Sequence, residues 1–384
     1  MKCRLAFAIL LLGLASTGRA EPVFEKVDLF EAGKDGYALY RIPGIVVARS
    51  GVVLAYCEAR KNAGGDWGRI DLMLRRSTDN GKTWEPRRHL VQFDQMFERN
   101  PVAVKQKLGK EGETTLNNPV AIADAKTGAV HFLVCVEYAR CFYLRTDDDG
   151  KTFTKPVEIT ATFDKFKSEY DWKVLATGPG HGIQLASGRL IVPIWLSTGT
   201  GGHAHRPSCV ASIYSDDHGK TWQRGDIVVR DPDLANPSET VAVELTDGTV
   251  MFNIRHEGKQ QRRAVSISPD GATKWSKPTF DDALPEPVCM ASLIRLSKGI
   301  LFVNPDNPTG RERKNVSARL STDDGRTWAS AKSIEPGPSG YSDLAVAGDG
   351  TVLCFYERGA MEKTRPRWLT VARFNRDWLQ APSK

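Results

Sequence analysis

One eight-residue phrase recurs along the chain and limits what it can fold into. Ser77-Thr-Asp79-Asn-Gly81-Lys-Thr83-Trp84 returns as Thr146-Asp-Asp148-Asp-Gly150-Lys-Thr152-Phe153, then as Ser215-Asp-Asp217-His-Gly219-Lys-Thr221-Trp222 and Ser321-Thr-Asp323-Asp-Gly325-Arg-Thr327-Trp328. A worn copy stands at Ser268-Pro-Asp270-Gly-Ala272-Thr-Lys-Trp275. Successive copies begin 69, 69, 53 and 53 residues apart, close to one four-stranded propeller blade with its loops. Gly supplies a positive φ, Asp binds backbone N–H groups in the turn, and the aromatic packs the hairpin onto its sheet. An EF-hand reading of the Asp and Gly spacing is rejected, because no Glu stands at the twelfth position and no helices flank the loop.

The runs between the boxes read as strands. Ile70–Arg75 and Val210–Tyr214 alternate, and Gly44–Arg49, Val52–Cys57, Ala129–Val136, Leu190–Leu196, Thr249–Ile254, Leu301–Val303 and Val352–Tyr356 are apolar. Residues 92–98 and 161–171 are expected to hold short helices. With 34 Gly and 21 Pro and no low-complexity linker, the chain reads as one all-β domain. Five boxes predict a six-bladed β-propeller over residues 21–384, with one blade lacking a box.

Residues 1–20 have the layout of a secretory signal peptide: Lys2 and Arg4, an apolar stretch from Leu5 to about Ala15, then Gly18-Arg19-Ala20. Cleavage is expected near Ala20, giving a secreted or periplasmic protein, since the apolar run is shorter than the ~20 residues a span requires. Removing Lys2, Arg4 and Arg19 lowers the net charge from +7 to +4. That excess is spread along the chain, with no Lys/Arg run of the kind a nucleic-acid binder concentrates. The six remaining cysteines form no CxxC pair and lie mostly in apolar runs, where free thiols behave as core residues. A Cys135–Cys141 disulfide stays open.

In a propeller, chemistry comes from loops that meet at the axis. Three arginines sit where strands begin or end: Arg41 in Tyr40-Arg41-Ile42-Pro43, Arg255 after Met251-Phe-Asn-Ile, and Arg313 before Lys314-Asn-Val. Converging, they would make a fork-shaped receptor for a carboxylate. Asp66 lies in a Gly-rich loop, Glu239 opens a strand in Asn236-Pro-Ser-Glu239, and Tyr341 lies in Ser339-Gly-Tyr341-Ser-Asp343-Leu. His203-Ala-His205 lacks a third metal ligand and reads as a polar loop; no metal or cofactor is expected.

Arg-Ile-Pro at 41–43, the ordered boxes, Gly178-Pro-Gly-His-Gly-Ile-Gln184 and Tyr341-Ser-Asp-Leu together resemble the bacterial exo-α-sialidases with Asp-box (BNR) repeats, over about Val27 to Asn375. The resemblance implies a six-bladed propeller that hydrolyses terminal sialic acid from glycoproteins, glycolipids or oligosaccharides. It assigns the carboxylate-binding triad to Arg41, Arg255 and Arg313, with Arg311 and Arg319 close by. Asp66 matches the acid/base, Tyr341 the nucleophile and Glu239 its partner. Glu357 matches the residue that holds the first arginine, and Arg60 belongs to a Glu-Ala-Arg motif typical of the family. Retention through a tyrosyl-enzyme is implied, sialidases being exceptions to the two-carboxylate scheme. Met290 stands where the family commonly has Gln in the pocket. A monomer without membrane insertion is expected. A sialoglycan-binding propeller without catalysis, a trans-sialidase and a related nonulosonic-acid hydrolase are the competing readings.

Overall fold

The computed structural model describes residues 21–360 and 365–382. The leader expected over residues 1–20 lies outside the described residues. The fold is an all-β propeller arrangement, and among the described residues the helices are single turns at Pro101–Lys105, Thr160–Asp164 and Arg376–Gln380. The helix expected over 92–98 is therefore displaced: that stretch is irregular, and the turn forms where Asn100 caps Val102 N and Pro101 presets the first φ. The expectation over 161–171 meets the helix Thr160–Asp164.

Four sheets of four or five strands follow in chain order. A seven-stranded sheet combines the chain's end with its beginning. In it the long strand Lys332–Val346 pairs through its first half with Lys314–Ser321 and through its second with Val352–Arg358. The first strands of successive sheets, among them Leu39–Val47, Leu116–Ala123, Thr240–Glu244 and Ser292–Arg295, abut one another around an axis. Strand Phe24–Glu31, which lacks a box and was not read from the sequence, pairs antiparallel with Trp368–Phe374 and joins the two ends of the chain.

The boxes are turn builders. Asp79 Oδ1 accepts from Lys82 N at 3.0 Å and Thr83 N at 2.9 Å, and Thr83 Oγ1 donates to Asp79 Oδ2 at 2.6 Å. Asp148, Asp217 and Asp323 accept from the matching threonine N at 2.9, 2.8 and 2.9 Å. These bonds hold Asp79 down to about 2, offsetting partial burial. The turn contains two left-handed residues rather than one: Asn80, Asp149, His218 and Asp324 have φ between 58° and 59°, each just before the glycine.

Each box also grips the preceding sheet. Asn80 Nδ2 donates to Asp349 Oδ2 at 2.9 Å, Ser50 Oγ to Asp149 Oδ1 at 2.7 Å, and Thr246 N to Asp324 Oδ2 at 3.1 Å, while His218 Nδ1 meets Asp124 Oδ2 at 2.6 Å. Gly150, at φ 76°, would place a Cβ only 2.9 Å from Leu54 of the neighbouring sheet. Glycine is thus needed for contact as well as for φ. All six cysteines of residues 21–384 are buried and free, and Cys135 faces Cys141 across a strand pair.

Gly150→Ala combines backbone strain with overpacking and is expected to cost about 2 kcal/mol. Gly51→Ala, at φ 93° with open space around it, carries strain alone and is expected to cost about 1 kcal/mol. Urea midpoints of the two variants test the difference; equal losses would mean that the contact with Leu54 contributes nothing.

Candidate active site

At one end of the axis a cavity of about 180 Å³ gathers Arg41, Arg60, Asp66, Glu239, Arg255, Arg313 and Tyr341. These come from segments spread over some 300 residues, and each is positioned by a local feature. The strand Leu39–Val47 bulges between Arg41 and Gly44, with Ile42 at φ 59°, which turns Arg41 toward the axis. Glu239 and Arg255 flank one hairpin. Arg255 N donates to Glu239 O at 3.1 Å, so a 16-residue step in sequence becomes direct adjacency.

Glu357, buried on the strand Val352–Arg358, accepts from Arg41 Nε at 2.9 Å and Arg41 Nη2 at 3.3 Å. It also takes the backbone N–H groups of Ile42 and Tyr341, each at 3.3 Å. One carboxylate therefore sets the first arginine and the tyrosine together. Among the three candidates near 313, only Arg313 lines the cavity. Its Nη2 donates to Val288 O at 2.8 Å, whereas Arg311 bonds Glu257 O and Arg319 bonds Asp306.

Tyr341 lies at the centre. Its Oη donates to Glu239 Oε1 at 2.5 Å and accepts from Arg255 Nη1 at 2.9 Å, while Arg255 also pairs with Glu239. The guanidiniums of Arg41 and Arg313 each lie 4.9 Å from its ring centre. Burial pushes the phenol pKa above its usual value; Glu239 adds to this, and Arg255, Arg313 and Arg41 oppose it. The resting phenol is protonated, with a carboxylate already at its proton.

Asp66 is the opposite case. Burial pushes it up, but Arg60, then His205 and Arg41, hold it well below the ordinary carboxylate range. Arg60 Nη1 reaches Asp66 Oδ1 at 3.0 Å and Gly65 O at 2.6 Å, and its other nitrogens clamp Glu58 Oε2. Asp66 is nonetheless the open member of the set, with 41% of its side chain exposed.

The cavity wall contains residues that the sequence reading missed. Tyr138, Trp195 and His205 line it, with the Trp195–His205 centres edge-on at 5.0 Å, and Trp67 backs Tyr138 at 4.6 Å. His205 lies on the expected loop, but its ring packs among other rings, and burial depresses it to about 4. His203 remains exposed at the rim. Arg206 and Glu257 pair at 2.7 Å on the far side. No spacing rule reveals these, because they come from different sheets. Met290 does not line the cavity; it is fully buried beneath Tyr341 with Ile42 and Cys289.

Glu357→Ala strips four donors on three residues of their acceptor and is expected to destabilise the fold by about 3–5 kcal/mol. Glu357→Gln, which still accepts, is expected to lose less. Denaturant titration checks both; equal losses would mean that charge pairing with Arg41, rather than acceptance, carries the effect.

Comparison with known proteins places this geometry. The family described as BNR repeat-like domain matches residues 98–354, and BNR/Asp-box repeat matches residues 75–86. A sialidase from Micromonospora viridifaciens is 29% identical over 94% of this chain and 55% of its own length. One from Bacteroides fragilis is 30% identical over 88% of this chain and 63% of its own. The chain thus spans a little over half the length of these curated relatives. The solved structure of Hadza microbial sialidase Hz136 is 28% identical and superposes with a TM-score of 0.71, covering 90% of this chain and 67% of that one.

Proposed function

The chain belongs to the sialidase family with Asp-box repeats, and from that premise we propose that it is an exo-α-sialidase. Its substrates are sialylated glycoproteins, glycolipids or oligosaccharides, and it retains configuration through a tyrosyl-enzyme. The single observation that carries this reading is the Tyr341 hydroxyl 2.5 Å from Glu239, beneath the three cavity arginines. The fold reading is a six-bladed propeller. Counting the seven-stranded sheet as two blades that share the strand Lys332–Val346 supports it.

The proposed steps balance as follows. Arg41, Arg255 and Arg313 bind the sugar carboxylate and set its anomeric carbon over Tyr341. Tyr341 Oη bonds to that carbon as its proton passes to Glu239, and the glycosidic oxygen leaves with the proton of Asp66. A carboxylate nucleophile would be repelled by the substrate's own carboxylate; a neutral phenol is not. Water then attacks the same carbon and gives a proton to Asp66, while Tyr341 takes its own back from Glu239. Asp66 must gain a proton in the complex. A substrate carboxylate on Arg41, which stands 3.9 Å from Asp66, cancels part of the field that keeps it ionised. The aglycone covers its exposed side and adds desolvation.

Release of 4-methylumbelliferone from its α-sialoside tests the activity. Asp66→Asn and Tyr341→Phe are each expected to lower kcat/KM by about 10²–10⁴-fold. Tight binding without turnover by the unsubstituted chain would instead support a sialoglycan-binding propeller, and NMR of the released sugar separates hydrolysis from transfer. The kcat/KM profile reports the free protein's ionisations, so for sialyllactose it is expected to fall as pH rises above the depressed value of Asp66. Arg60→Lys keeps a positive charge beside Glu58 but gives up the Nη1 bond to Asp66, which raises Asp66 and moves that limb to higher pH. A limb that stays in place removes Asp66 from the acid role. We further propose export by cleavage near Ala20 to the periplasm or exterior, and a monomeric state. Mass of the exported chain and sedimentation check these.

A further inference from the structure

Beneath Tyr341 the propeller axis is occupied by a buried polar cluster that the steps above leave unused. Asp343, two residues further along the same strand, is fully buried. Its Oδ1 accepts from His181 Nδ1 at 2.7 Å and Ser292 Oγ at 3.0 Å, and its Oδ2 accepts from Ile45 N at 2.9 Å. Three separate inner segments thus converge on one carboxylate carried by a fourth. Burial lowers His181, yet Asp343 outweighs it and holds the imidazole above its ordinary value. The cluster is tightly packed on the side of Gly180, while His181 and Ile45 also line a cavity of about 330 Å³ further along the axis. A Cβ on Gly180 would lie 2.6 Å from Met290 Cε and 3.1 Å from Asp343 Oδ1. Tyr56 Oη ties Gly180 O at 2.6 Å.

Two of the segments bound to Asp343, those of Ile45 and Ser292, lead to residues packed on the nucleophile. Ile45 follows the bulge that bears Arg41, Ser292 follows Cys289 and Met290, and the apolar layer of Ile42, Cys289, Met290 and Tyr341 lies between this cluster and the cavity. The strand itself supplies Tyr341.

We propose that Asp343, with His181 and Ser292 as its donors, is the positioning residue of the nucleophile, fixing Tyr341 from below at hydrogen-bonding distance from Glu239. Its kinetic consequence rests on the sialidase reading. Its geometric consequence does not. A buried charge that only supports the fold would alter unfolding and leave folded molecules working as before, whereas misplacing a reacting group by ~1 Å costs up to about 100-fold in rate.

The test uses Asp343→Asn, which keeps the volume and an acceptor for Ile45 N but loses the charge facing His181. Ser292→Ala is the milder variant should the first fail to fold. Crystal structures are compared with covalent labelling by a 2,3-difluorosialic acid, followed by mass spectrometry well below each unfolding midpoint. The expected result is a Tyr341 Oη–Glu239 separation beyond hydrogen-bond range. Labelling is expected to be slower by about 10–100-fold and kcat to fall more than KM rises, with Ser292→Ala smaller in the same direction. An intact Tyr341–Glu239 bond with unchanged labelling, and only a lower unfolding midpoint, overturns the proposal. If the unsubstituted chain is not labelled, the sialidase reading falls, and the Tyr341–Glu239 separation in the variants alone decides for or against Asp343.

Discussion

The strand Phe24–Glu31 takes its ladder partner from the last strand of the chain, Trp368–Phe374, and the cavity depends on that pairing. It holds the last sheet against the first, so that Glu357 meets Arg41 across a separation of 316 residues. Closing so long a loop is less costly than its length implies, because closure entropy grows only with the logarithm of loop length. Most of that entropy is already offset by the sheets packed in between. What remains is a short seam whose hydrogen bonds and apolar contacts, including Phe24 stacked on Trp378 at 4.4 Å, hold the ring shut.

Within the ring, the charges at the cavity are compensated unevenly. Arg41 is paired with Glu357 and Arg255 with Glu239, but Arg313 is bonded to a backbone carbonyl, with no carboxylate on it among the described residues. Three guanidiniums around one phenol in a low-dielectric cavity favour an anion that supplies the missing negative charge. The same field opposes the burial penalty on the Tyr341 phenol, and Glu239 stands ready for the proton once the phenol reacts. Asp66 is held chiefly by Arg60, in a loop that solvent reaches, and shares only Arg41 with Tyr341 among the cavity arginines that act on it.

The boxes lie away from this chemistry yet make it possible. Each is a turn whose left-handed residue and glycine press on the preceding sheet, so that one short phrase both ends a hairpin and sets the spacing between sheets. The regular spacing of the repeat in sequence thereby becomes regular spacing around an axis, and single residues before or after strands are delivered to a common end.

The boxes, the strand runs and the candidate site residues Arg41, Asp66, Glu239, Arg255, Arg313 and Tyr341 were legible because each rests on local pattern: a turn's φ, an alternation, or a motif beside a strand end; Glu357 came only with the family resemblance. The Glu239 to Arg255 step was legible for the same reason, as the two flank one hairpin. The closing strand Phe24–Glu31 was missed because its partner lies more than 300 residues away. The place of His205 in the cavity wall was missed and Met290 was misread as a pocket residue, since packing between sheets decides which side chains reach the cavity. Arg313, which the family resemblance had assigned, is also the one of Arg311, Arg313 and Arg319 that the fold brings to the cavity. By itself the sequence determined the repeat, the all-β class and the chemical types at the strand ends, because turns and alternation are short-range properties of the backbone. Only the tertiary structure decided which of those groups touch and what depresses Asp66. It alone placed His181, Ser292 and Asp343 beneath the nucleophile, because contact across an axis depends on every intervening sheet being in place.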